Sequence, residues 1–144
     1  MKTLWIVTVV AVIAIACGCG TRGGATPDAE TAEAAAKKFF EAGKTGDLDT
    51  AISYFDLKGE YDKMPEEQRG DMDYEAFEKK IRAIMEAGKE QAAKLEYEVL
   101  GSEVKGDVTI VKVKLKNYVT PEWEEREWHF KKIDGKWKTS LDQP

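Results

Sequence analysis

Residues Glu30 to Asp56 read ETAEAAAKKFFEAGKTGDLDTAISYFD, and this stretch decides the fold. Ala32, Ala35, Ala36 and Phe39 recur at helical spacing with Phe40 beside them, while Glu33, Lys37 and Lys38 take the other side. Gly43 and Gly46 bracket a stop, Asp47 is a good N-cap, and Leu48, Ala51, Ile52 and Phe55 then follow at i, i+3, i+4 and i+7. The pattern predicts two amphipathic helices joined by a Gly-Asp turn. Neither is long enough to be stable alone in water, so each must bury its apolar stripe against another layer.

The sequence supplies that layer at its C-terminal end, where the apolar period shortens from about 3.6 residues to 2. Leu95, Tyr97 and Val99 alternate with Glu96 and Glu98, and Val111, Val113 and Leu115 alternate with Lys112, Lys114 and Lys116. Trp128 and Phe130 alternate with Glu127, His129 and Lys131, and Trp137, Thr139 and Leu141 alternate with Lys138 and Ser140. These segments predict four strands, broken at Gly101 to Asp107, at Thr120-Pro121 and at the hairpin signal Asp134-Gly135. Between the two halves, Leu57 to Met72 is polar and broken by Gly59, Pro65 and Gly70, and is expected to be loop with a single turn at Pro65 to Arg69. Asp73 then caps a third helix, with Tyr74, Phe77, Ile81, Ile84, Met85 and Gly88 on one face, ending between Gly88 and Lys94. The fold class expected is α+β, with three N-terminal helices packed on a curved four-stranded antiparallel meander.

The residues also carry a family resemblance. Phe39-Phe40-Glu41-Ala42, Gly46-Asp47-Leu48-Asp49-Thr50-Ala51, Tyr54-Phe55 and the closing segment Phe130 to Lys138 together resemble small bacterial lipoproteins with a nuclear transport factor 2-like domain. The resemblance spans residues 29 to 142. It implies a cone in which a curved sheet wraps helices and often leaves a pocket, although no strand pair of the larger members is recognisable in Leu57 to Met72.

The N-terminus points to the cell envelope. Met1-Lys2 is a short basic start, Leu4 to Ala16 is an uncharged apolar run, and small residues lead into Cys17. The run is shorter than the roughly 20 residues of a bilayer span. Ile13-Ala14-Ile15-Ala16 before Cys17 resembles the lipobox of bacterial lipoproteins, in which a peptidase cuts before a cysteine that is then lipid-modified. Cys19 is a second, poorer fit. The alternatives are an ordinary secreted protein with paired cysteines, or an uncleaved inner-membrane anchor. Pairing of two cysteines this close would be strained, and no cysteine follows Cys19 to staple the folded part. The organisation expected is therefore a signal peptide over residues 1–16, a lipid-anchored flexible tether over 17–28 and an α+β domain over 29–144. Thr26 and Pro27 offer a cap and first position for the first helix. In a Gram-negative host, Gly18 resembles an outer-membrane sorting context.

Composition narrows the functions further. The chain carries 22 basic and 27 acidic residues, a net charge of −5, and losing Lys2 with the leader makes it one unit more acidic. That balance leaves no basic stripe for nucleic acid, so the expected partners are the membrane, through a lipid on Cys17, and a small apolar ligand or an envelope protein. The literal GxGxxG of Gly18, Gly20 and Gly23 lacks the surrounding βαβ unit and is read as tether.

No GxSxG, Cys-His pair or histidine cluster exists, so no catalytic, cofactor or metal residues are assigned. Relatives of the resembled fold include isomerase- and dehydratase-like enzymes that use a pocket acid, histidine or tyrosine. The lone His129 alternates out of phase with Trp128 and Phe130 and is read as a surface strand residue, and Tyr97 and Tyr118 as core or rim aromatics. The acidic run Glu122 to Glu127 is read as a charge ladder facing Lys112, Lys114 and Lys116. Phe39, Phe40, Tyr54, Phe55, Trp128 and Trp137 are either core or the lining of an apolar ligand pocket. Three functions stay open: a non-enzymatic, lipid-anchored binding protein, an isomerase- or dehydratase-like enzyme using His129 and a pocket acid, and a structural or inhibitory interaction module using the outer sheet face near Trp123.

Overall fold

The computed structural model describes residues 30–116 and 122–143. The expectations for the leader, Cys17, the tether, Tyr118 and Thr120-Pro121 lie outside the described residues, and the cap of the first helix, expected at Thr26 with Pro27, is instead Thr31. Helix α1 spans Ala32–Thr45 and begins at Thr31, whose Oγ1 accepts from the Ala34 N–H at 3.1 Å. It stops at Gly46, which adopts the left-handed conformation (φ 74°) and donates back to the Ala42 and Gly43 carbonyls. The predicted stripe is its buried face: Ala32, Ala35, Ala36, Phe39 and Phe40 are all inside. Each large ring so buried stabilises the fold by about 1.5–3 kcal/mol.

Asp47 caps α2, Leu48–Ser53, accepting from the Thr50 N–H at 3.1 Å. This helix ends two residues short of Phe55, the last position of its predicted stripe. Phe55 has left it, because the backbone on either side bonds to Thr139 instead, with the Thr139 N–H donating to Tyr54 at 2.7 Å and the Asp56 N–H to Thr139 at 3.0 Å.

The segment expected to be loop holds a second correction. Leu57–Lys63 is a helix, α3, followed by the anticipated single turn α4 at Glu66–Arg69. Asp56 caps α3 by accepting from the Gly59 N–H at 3.1 Å, and Arg69 Nη2 donates to the terminal carbonyls of Tyr61, Asp62 and Met64 at 3.2, 3.3 and 3.0 Å. Partners at both ends make good what a seven-residue helix containing a glycine lacks in propensity.

Asp73 caps α5, Tyr74–Ala87, as expected, and Gly88 separates it from the short α6, Lys89–Ala92. Only Phe77 of α5 is fully buried, and Ile84, placed on the apolar face by sequence, is 58% exposed. The helix packs on α2 and α3, where Phe77 joins Ile52 and Leu57 in a cluster flanked by Tyr61, Met64, Ile81, Met85 and Leu141.

The sheet is an antiparallel meander in the order β1 (Glu96–Lys105), β2 (Val108–Lys116), β3 (Glu124–Ile133) and β4 (Lys136–Thr139). The break expected at Gly101 to Asp107 is smaller than predicted, because β1 absorbs Gly101 in a register shift and runs on to Lys105, leaving Gly106-Asp107 as the turn. At Asp134-Gly135 both residues have positive φ (50° and 76°), as a tight two-residue hairpin requires. Val111, Val113 and Phe130 are fully buried against α1, with Tyr97, Val99, Leu115 and Trp128 packed around them. On the strands, Lys112 pairs in register with Glu127 and Lys114 with Glu125, as the ladder predicts, while Lys116 turns to Glu96 of β1 at 3.2 Å. The molecule is α+β as the sequence indicates, with α1 on the sheet and α5 on α2 and α3.

Candidate functional site

The six aromatics singled out by sequence divide into two groups. Phe39 lies at the centre, with ring centroids of Phe40, Tyr54, Phe55 and Trp128 at 5.2, 6.4, 5.3 and 5.3 Å. Phe40 in turn meets Trp128 at 5.0 Å and stacks on Tyr97 at 5.1 Å. These rings fill the space between α1 and the sheet with edge-to-face and tilted contacts. Trp137 packs at the margin of this cluster, and together with Tyr54 it lines a cleft at the surface.

That cleft has a volume of about 470 Å³ and is bordered by Glu30, Ser53, Tyr54, Lys132, Gly135, Lys136, Trp137 and Lys138. It forms where the start of α1 meets the β3–β4 hairpin. The Trp137 indole N–H donates to the Glu30 carbonyl at 2.7 Å, the Tyr54 hydroxyl donates to Glu30 Oε1 at 3.2 Å, and Lys38 pairs with the same oxygen at 2.9 Å. Burial, then the neighbouring Glu30 carboxylate, hold the Tyr54 hydroxyl above its ordinary pKa of 10.0. Lys38 is raised by its bond to Glu30. Lys132 sits over the Trp137 ring, 5.1 Å from its centre, because the two are direct cross-strand partners. The result is an aromatic floor with a basic rim, suited to a molecule bearing an apolar portion and negative charge.

A second, smaller cavity of about 160 Å³ corrects the reading of His129. The ring is out of phase with Trp128 and Phe130 along the strand, but it is half-buried, since α3 and the segment after β4 come up beside it. Asp56, Glu60 and Lys63 border the cavity with His129, Val108, Phe130 and Lys131. The His129 Nε2 is buried without a hydrogen-bond partner, and its backbone N–H donates to Gln143 Oε1 at 3.0 Å. Asp56 and Glu60 are each paired with a lysine, Lys131 and Lys63, both at 3.8 Å, so the cavity brings carboxylates and an imidazole, the residue types of proton transfer, to one wall. Sequence reasoning missed this site because it read Glu60 and Lys63 in a loop and left Asp56 at the end of the helix pair. For the cleft a signal was present: Lys131-Lys132-Ile133-Asp134-Gly135-Lys136-Trp137-Lys138 concentrates four lysines around one tryptophan.

On the sheet's rim, Trp123 is 43% exposed with Lys114 and Lys116 over its ring at 5.8 and 5.9 Å. Among the described residues, no group of three or more His, Cys, Asp or Glu side chains is placed to hold a metal ion, and no helix is long and apolar enough to cross a membrane.

Fold and site together define a small α+β domain with an aromatic, lysine-rimmed cleft at the end of an antiparallel meander. No family model and no curated protein matches the sequence. Among solved structures, the chain is similar to a candidate NTF2-like transpeptidase from Campylobacter jejuni, with 17% identity over 78% of this chain and 100% of that one and a TM-score of 0.48. A likeness this low says nothing of what this chain does.

Proposed function

We propose that this is a lipid-anchored protein of the bacterial cell envelope, held by Cys17, whose nuclear transport factor 2-like domain is a non-enzymatic binding module. The observation that carries the reading is the cleft: Tyr54 and Trp137 border open space there, whereas the other rings singled out by sequence are packed against one another. A ligand would lay its apolar portion on Trp137 and turn polar groups to Lys132, Lys136 and Lys138. The N-terminal pattern ending at Cys17 supports the anchor, and the element order, helices followed by a meander, agrees with the resemblance carried by residues 29 to 142. Native mass spectrometry of the protein, purified gently from its own membranes, tests the reading. A reproducible extra mass in the small-molecule range, lost in Trp137→Ala, is the expected result, and a clean apo mass would overturn it.

A second reading has one observation in its favour, the unpartnered His129 Nε2 beside the cavity of Asp56 and Glu60. It makes the protein an acid-base enzyme of the isomerase or dehydratase kind. His129→Ala would then abolish a turnover seen in the wild type while the circular dichroism spectrum stays unchanged, and turnover that survives the change rejects the idea.

A further inference from the structure

We propose that the ligand of the Trp137 cleft is an anionic lipid of the membrane itself, taken by its headgroup, so that the β3–β4 hairpin docks the domain on the bilayer that holds its anchor. This inference rests on the lipid-anchored reading. Three observations carry it.

Charge is segregated on this chain. The molecule as a whole is acidic at −5, yet residues 131–138 hold four lysines and a single aspartate. Lys131 and Lys138 stand directly opposite each other across the ladder, an unfavourable pairing unless anions lie near. Lys131 finds one in Asp56 at 3.8 Å and Lys138 donates to the Ser53 carbonyl, while Lys132 and Lys136 project into solvent at the mouth of the cleft. Exposed lysines beside a bilayer are drawn to anionic headgroups, an attraction that salt screens.

Trp137 has the chemistry of an interfacial anchor. Its one donor is already bonded to the Glu30 carbonyl, so the ring can enter an acyl-headgroup boundary without stranding a polar atom.

The chain also leads there. Glu30, a wall of the cleft, is thirteen residues from Cys17, and a chain of that length spans at most about 45 Å even when fully extended. A cysteine fixed in the bilayer therefore keeps the cleft at a high local concentration of headgroups, where a weak surface suffices.

The test uses the full lipidated protein on vesicles of phosphatidylcholine alone and of phosphatidylcholine mixed with phosphatidylglycerol. Flotation reads the anchor, and amine labelling of Lys132 and Lys136, normalised to Lys79 and Lys80 of α5, reads the docking. Flotation with both vesicles, with loss of labelling at Lys132 and Lys136 only on the anionic ones and its return in high salt, is the expected result. The exposed-site double variant Lys132→Glu/Lys136→Glu should float equally well and leave Lys138, whose ammonium donates to the Ser53 carbonyl, labelled to the same extent on either vesicle. Equal labelling on both vesicles by a protein that floats with both overturns the docking and leaves the anchor standing. Protection by inorganic phosphate in detergent micelles would make the cleft a small-anion site and also overturn it. Failure to float with either vesicle removes the tether and the inference together.

Discussion

Phe39 holds the interior together, since its ring touches four others between α1 and the sheet. Phe39→Ala should cost about 3–5 kcal/mol in urea unfolding, a large share of the roughly 5–15 kcal/mol that a domain of this kind has available. Trp137→Ala, at the margin, should cost less and act on ligand instead. The tyrosines give the fold an alkaline limit. Tyr54, Tyr74 and Tyr97 are all raised above 10.0, in each case first by burial, so the folded state holds their protons more tightly than the unfolded one. Their stabilisation is complete below pH 10.0 and is lost as pH rises through the raised values. Urea midpoints measured across that window should fall, and Tyr54→Phe should flatten the fall. At the acid end the sign reverses for Asp47, whose carboxylate is held below 3.8 by its bonds to Thr50, so that its capping is lost as pH drops through the lowered value.

Elements differed in how much of themselves they showed in the sequence. Helix α1 and strands β2 and β3 were legible because Ala35, Ala36, Phe39, Val111, Val113 and Phe130 repeat at the period of their own backbone, and burial follows that period. Helix α3 was hidden. Its support comes from Arg69, outside it in the chain, and from packing of Leu57 on Phe77, and neither leaves a periodic trace in Leu57 to Lys63. Missing α3 also meant missing the wall of the His129 cavity. Two substitutions test this account of the helix. Arg69→Ala removes the charged donor to three carbonyls and should cost about 1.5–3 kcal/mol. Gly59→Ala should raise helix propensity by about 1 kcal/mol, but a Cβ there would lie 2.2 Å from the capping Asp56 carboxylate. The cap must give way, so no net gain is expected, and a higher melting temperature would contradict the cap's role.

The whole molecule presents an acidic chain with a basic, aromatic corner beside the point where the described domain begins. The proposed lipid on Cys17 and the Trp137 cleft would then lie toward the same surface, with Glu75 and Glu86 of α5 exposed to solvent. Cys17→Ser should move the protein out of the membrane fraction, and retention there would remove the anchor from the account. The most direct measurement is the intact mass of the protein taken from its own membranes. Loss of residues 1–16 together with a lipid-sized addition on Cys17 is the result expected, and an unmodified chain, or one cut at any other position, would contradict the claim.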